Sequence, residues 1–235
     1  MNWNSIMGLV SSFALFGPII LILIMGLARY RSFPVLLIYY SSVFIYNLIT
    51  EHYIPVSFNI EKNWGYINNL ADAPMLILFF SYFSPSKLFT QRLKLMAASF
   101  IVFEAIVLSV VGLNMDAITI IIGPGLLIVF GLCMFFFIRF TKQAIENRKA
   151  TGKALIVTSL LFGYGCYFII YLLYYVFRAH INPTGEINQQ YMNDTFLVYF
   201  IAASLSSFLM CIGLVVEHTR IRKLKELKIT RRELS

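Results

Sequence analysis

The chain has 235 residues, of which 59% are hydrophobic, 16% aromatic and only 13% charged; its mean hydropathy is +0.77 and its net charge +8. Soluble domains carry about 25% charged residues, so the composition excludes an ordinary soluble protein, and its aromatic share excludes a disordered or fibrous one. Cys133, Cys166 and Cys211 all lie inside apolar runs, which excludes a disulfide framework or a CxxC metal signature and leaves them as small packing residues.

Seven apolar runs follow in chain order: 5–28, 34–55, 66–83, 95–113, 117–138, 154–178 and 194–216. Each is near the roughly 20 residues that cross a bilayer as a helix. Helices are expected because backbone groups in lipid must be satisfied within the span, and the alternating ten-residue strands of a barrel are not seen. The first run is too long for a signal-peptide core, and Met1–Ser5 holds no basic residue, so it reads as a retained helix. The expected fold is an all-α membrane protein, a seven-transmembrane-helix bundle over residues 1–218 with a basic tail over 219–235.

The basic residues alternate between the links. Arg29 and Arg31 follow the first run, Lys87, Arg92 and Lys94 the third, and Arg139, Lys142, Arg148, Lys149 and Lys153 the fifth. Seven more, from Arg220 to Arg232, follow the last. Seventeen of the 19 Lys and Arg thus share one side, leaving Lys62 and Arg178 on the other. The positive-inside rule then places the N-terminus outside and the C-terminus in the cytoplasm, with the links 56–65 and 179–193 outside. The net charge reflects topology, not nucleic-acid binding. In the tail, Ile221, Leu224 and Leu227 recur at helical spacing, as in a helix held on anionic lipid, a docking peptide for a partner, or a stop-transfer flank that frays into water. No Gly-rich phosphate loop, nucleophile elbow or HExxH pattern is present.

Charged groups inside a bilayer cost about 2.5–3.5 kcal/mol on insertion scales. Glu51, His52 and Asp194 lie near the outer interface and read as wetted helix ends, with Asp194 also favoured by the helix dipole. Asp72 is different: six residues into its run, it sits roughly 9 Å below the surface at about 1.5 Å per residue. Asn68 lies one turn above it on the same face, and Glu104 falls near the middle of the fourth run. Both carboxyls need a donor, water or a bound proton. Asn68, Asp72 and Glu104 are therefore candidates for a polar or ion site, against the plainer alternative of a structural pair with Tyr or Ser.

The third run reads Tyr66-Ile67-Asn68-Asn69-Leu70-Ala71-Asp72-Ala73-Pro74-Met75-Leu76. It resembles the third helix of microbial rhodopsins, most closely the light-driven sodium pumps, with Asn68 and Asp72 matching two signature positions and Phe79 in the place of Gln. The sixth run, Gly163-Tyr164-Gly165-Cys166-Tyr167-Phe168-Ile169-Ile170-Tyr171, is similar to the family's Trp-x-x-Tyr-Pro-x-x-Tyr. Tyr167 and Tyr171 are kept, Tyr164 replaces Trp and Phe168 replaces Pro. The seventh run departs. Ala203 stands at the counter-ion position, Ser207 at that of the retinal-bearing lysine, and Gly65 replaces an arginine of the third helix. None of the nine lysines falls within a run, so no amine is available for a Schiff base.

The resemblance implies an opsin-like protein that does not attach retinal covalently and does not pump. It leaves room for non-covalent retinal, carotenoid or lipid in a pocket lined by Met75, Tyr164, Tyr167 and Tyr171, although core packing accounts for such aromatics too. A sensory, ligand-binding or regulatory role is expected, and the alternative is passive cation or proton transport through the Asn68/Asp72 site. An enzyme is not expected, since one carboxylate beside a Ser-rich helix makes a poor catalytic set. The family further implies a plasma (inner) membrane of bacterial type, and as partners the bilayer and a homo-oligomer or a lysine-bearing rhodopsin. The stretch Ala202-Ala203-Ser204, with Ser206 and Ser207, admits close helix approach and leaves either a cavity or a collapsed seam.

Overall fold

The structure is a computed structural model and describes residues 3–30, 32–147, 150–178 and 189–233. Among these residues there are seven α-helices and no strand: α1 Trp3–Ile24, α2 Phe33–Thr50, α3 Phe58–Phe79, α4 Lys87–Val111, α5 Met115–Asn147, α6 Thr151–Arg178 and α7 Gln189–Glu233. Six of them, all but α3, are long and apolar enough to cross a membrane. α3 opens on two polar turns that include Asn59, Glu61, Lys62 and Asn63, which shortens its apolar part.

Helix ends follow local chemistry. Ser86 caps α4, its hydroxyl accepting from the Phe89 N–H at 3.2 Å. At the end of α2, Tyr53 N–H bonds Leu48 C=O at 2.9 Å and His52 N–H bonds Ile49 C=O at 3.0 Å. This double bond pattern is the Schellman motif. It places His52 at φ 60°, a left-handed conformation that glycine normally fills. Gly112, at φ 83°, ends α4 where a side chain would be strained.

Each helix packs on its neighbour in sequence, α1 closes the ring against α7, and α3 also packs on α5. Odd-numbered helices run toward the end of the bundle that carries Arg29, Arg92 and Lys153, called here the basic end, and even-numbered helices run away from it. The basic half is filled by a dry aromatic core in which Phe33, Phe79, Phe80 and Phe136 are wholly buried and Phe80 stacks on Phe136 with centroids 5.3 Å apart. Large apolar side chains such as Phe13, Ile38, Leu95, Leu127 and Phe208 point outward, as a lipid-facing surface requires.

Helix limits differ from the apolar runs because hydropathy reports immersion in lipid and not hydrogen bonding. The expected link 56–65 is helical from Phe58 onward. Of the expected link 179–193, residues 179–188 lie outside the described residues, and α7 begins at Gln189. The tail 219–235 is not a separate element within the described residues, since α7 runs unbroken to Glu233. Its 45 residues span about 67 Å at 1.5 Å per residue, more than twice the roughly 30 Å hydrocarbon core. Lys225 lies 4.9 Å from the centre of the Tyr30 ring, and Arg222 pairs with Glu226 at 3.0 Å.

Candidate functional site

The half of the bundle away from the basic end holds a cavity of about 560 Å³ between α2, α3, α5, α6 and α7. It runs from Thr50 and Glu51, where α2 stops, inward to Asp72. Helical spacing accounts for the polar wall, because Asn68 and Asp72 are one turn apart on the same face of α3. The aromatic wall comes from Tyr46 on α2, Tyr167 and Tyr171 on α6, and Tyr199 on α7.

Asp72 Oδ1 accepts from the Tyr164 hydroxyl at 2.5 Å. That hydroxyl lies 3.4 Å from the hydroxyl of Tyr39, so three polar groups from α3, α6 and α2 meet at the cavity floor. Tyr164 is only 2% exposed, and its orientation is fixed by edge contact with Tyr167, which stacks on Tyr199 at 5.4 Å. Asn68 Oδ1 accepts from Ser42 at 3.0 Å. Above this, the buried Asn47 amide donates to Ser12 Oγ at 2.6 Å and Ser11 Oγ at 3.1 Å, fastening α2 to α1. Tyr171 donates to the Thr119 carbonyl at 3.3 Å and so is held against α5.

The residues singled out in the sequence divide into three groups. Asn68, Asp72, Tyr167 and Tyr171 line the cavity, and Tyr164 closes its floor. Met75 is half-buried against the hydrophobic core and not in the cavity wall. Glu104 is buried on α4, away from the cavity, and its Oε1 has no hydrogen-bond partner. Glu51 reaches the cavity rim, His52 is exposed in its cap, and the Asp194 side chain lies outside the described ones.

Ala203 and Ser207 are 2% and 1% exposed and border a separate void of about 20 Å³, beneath Tyr39, Tyr164 and Tyr167. Such a void has room for about one water. The small-residue stretch has let α6 and α7 close together there. Ser159 Oγ donates to Ser206 C=O at 2.6 Å, and Ser206 Oγ donates to Ser159 C=O at 2.9 Å. A Cβ on Gly163 would lie 2.9 Å from Ser206 Oγ, so this contact demands glycine. Among the described residues no lysine borders either space, and no group of His, Cys, Asp and Glu is arranged to hold a metal.

A second polar cluster, at the basic end, was not singled out in the sequence. Glu217 is wholly buried on α7. Its Oε1 accepts from Tyr82 at 2.5 Å and from Arg220 Nη2 at 2.6 Å, and its Oε2 accepts from Arg220 Nε at 2.8 Å. Lys153 of α6 lies over the Tyr82 ring at 5.3 Å. The i, i+3 pairing of Glu217 with Arg220 was the available signal, but Glu217 follows directly on the last apolar run and so reads as a solvated flank.

No protein family, no curated protein and no solved structure matches this chain.

Proposed function

We propose that the protein is an opsin-like seven-helix membrane protein that holds a small ligand without a covalent bond and serves a sensory or regulatory role. The observation that carries this reading is the cavity of about 560 Å³ with Asp72 at its floor and tyrosines on its walls. Its volume falls in the range of about 300–1,000 Å³ used for small molecules, and its mix of aromatic wall and few polar groups is typical of such sites. Support for the opsin-like arrangement comes from the ring closed by α1 on α7 and from Asn68 and Asp72 facing the α6 tyrosines. α3 serves as the seventh span, with Asn68, Asn69 and Asp72 of its apolar part turned to the cavity. The positive charge at the basic end makes that end cytoplasmic, where the protruding part of α7 is available to partners.

The test is chemical. Organic extracts of the purified wild-type protein should contain a small molecule that is missing from extracts of Ile122→Trp, which fills the cavity from α5. Identical extracts from the two proteins would refute ligand binding.

A second reading, passive proton or cation transport, is favoured by the Asp72–Tyr164–Tyr39 chain of polar groups. It requires the dry core of Leu76, Phe79 and Phe80 to open, since all three are wholly buried on the basic side of that chain. Flux into liposomes that is unchanged by Asp72→Asn would remove it.

A further inference from the structure

Resting on the ligand-binding reading of the cavity, we infer that its ligand is an organic ammonium ion with an apolar body, the cationic head lying against Asp72 and the tyrosine rings. Among the described residues, the charged side chains that line the cavity are Asp72 and Glu51, both acidic, and no Lys, Arg or His lines it. Among the described residues no lysine or arginine forms an ion pair with either carboxylate. An anionic ligand would therefore meet two like charges in a confined, poorly hydrated space.

A neutral apolar ligand is disfavoured for a different reason. It would cover the Asp72 carboxylate with hydrocarbon and supply no opposite charge; the Tyr164 hydroxyl from which Asp72 Oδ1 accepts is a neutral donor, and a charge covered without a counter-charge is costlier to bury than a hydrogen-bonded polar group. A small metal cation would require a shell of converging oxygens, whereas among the described residues no His, Cys, Asp and Glu are grouped to hold one, and much of the lining is rings: Tyr167 and Tyr199, stacked at 5.4 Å, with Tyr46 and Tyr171. Ring faces attract a weakly hydrated ammonium through their quadrupoles and offer little to a strongly hydrated ion. The remaining lining, Val43, Ile121, Ile122, Leu126 and Ile170, is hydrocarbon and suits the apolar body. Asp72 is already fixed by Tyr164, so the site is formed before the ligand arrives.

The experiment uses the full chain in lipid nanodiscs and three probes of similar shape: benzyltrimethylammonium, its uncharged isostere neopentylbenzene, and the anion phenylacetate. The ammonium should bind at least about tenfold more tightly than either of the others, and Asp72→Asn should weaken it by about tenfold or more, as expected for a charge and a cation–π cage acting together. Tyr167→Leu should weaken it as well, while Tyr167→Phe, which keeps the ring, should not. The comparison of charge states needs only the wild-type protein, so it stands even if Asp72→Asn fails to fold. Equal or tighter binding of the neutral isostere, or of phenylacetate, overturns the ammonium assignment and leaves the cavity as a ligand site. Binding of none of the three alongside a neutral or anionic molecule in the wild-type extract overturns it too; binding of none and an empty extract removes both readings.

Discussion

Arg220→Ala should damage this protein more than Glu217→Ala, although Arg220 is the exposed member of the pair. The Glu217 side chain is 0% exposed, whereas that of Arg220 is 31% exposed. Truncating Glu217 leaves the guanidinium able to swing into water or lipid headgroups, as long basic side chains do. What is lost is then the acceptor for Tyr82, about 1–2 kcal/mol, and the burial of one methylene at about 0.8 kcal/mol. The sum is about 2–3 kcal/mol. Truncating Arg220 removes the donors at 2.6 and 2.8 Å and leaves the buried carboxylate with the Tyr82 hydroxyl as its described hydrogen-bond donor. Breaking a buried pair from that side costs about 3–5 kcal/mol. A ceiling of about 4 kcal/mol is set by the work of protonating an ordinary carboxyl at neutral pH.

Glu217→Gln keeps the volume and an acceptor for Tyr82 and should cost about 1 kcal/mol. With Arg220→Ala added, that variant should recover part of the arginine loss, because no carboxylate then stays buried unpaired. Heating with a thiol-reactive dye reads the series, since Cys133 is 0% exposed and becomes labelled only on unfolding. At about 2–4 °C per kcal/mol for a chain of this size, the melting temperature of Arg220→Ala should fall by roughly 6–16 °C. Equal loss from Glu217→Ala and Arg220→Ala, or no recovery in the double variant, would refute the claim that the buried carboxylate is what the arginine neutralises.

Three further outcomes are expected. His52→Gly should leave the melting temperature unchanged or raise it by the equivalent of up to about 1 kcal/mol, because glycine adopts the left-handed Schellman position without strain; a fall would mean that the imidazole makes a stabilising contact. Asn47→Leu should cost about 1–2 kcal/mol by the same dye assay, since it strips the α1–α2 junction of the amide that donates to Ser11 and Ser12, whose hydroxyls keep their own bonds to the Gly8 carbonyl; a neutral result would show that the amide bonds do not hold α1 and α2 together. Ala203→Asp with Ser207→Lys, expressed with all-trans-retinal, should give no visible absorption band, because the space beside position 207 is about 20 Å³; a bleachable pigment would show that α6 and α7 separate readily.

Helix placement was legible in the sequence because immersion in lipid demands long apolar runs, and α1, α2, α4, α5, α6 and α7 stand close to those runs. The ends were not. Phe58 begins α3 amid polar residues, and α7 continues through the basic residues that follow position 217, so hydropathy missed both limits. Asn68 and Asp72 were legible as a pair because helical period alone puts them on one face. Their partners were not, since the meeting of Asp72 with Tyr164 spans 92 positions and depends on how α3 and α6 cross. Met75 differs from its expected place for the same reason: it is three residues from Asp72, and the rotation of α3 turns it toward the hydrophobic core.

The position of the cavity follows from the distribution of bulk along α7. Over 202–207 the buried side chains are Ala202, Ala203, Ser206 and Ser207, and α6 comes close enough for two reciprocal serine bonds. The space that a ligand would need at that level is taken up by helix approach. One turn earlier α7 carries Tyr199 and Phe200, and Tyr199 stacks on Tyr167 instead of letting the backbones meet. The two rings hold α6 and α7 apart, and the room so created is shared with α3, where Asp72 faces it. The Asp72–Tyr164 bond lies at the boundary between the open and the closed level, since Tyr164 borders the lower void while its hydroxyl is bound to a wall of the upper cavity. Asp72 is thus held by a neutral donor from the closed half and remains open to a cation from the other, a division that no single helix could provide.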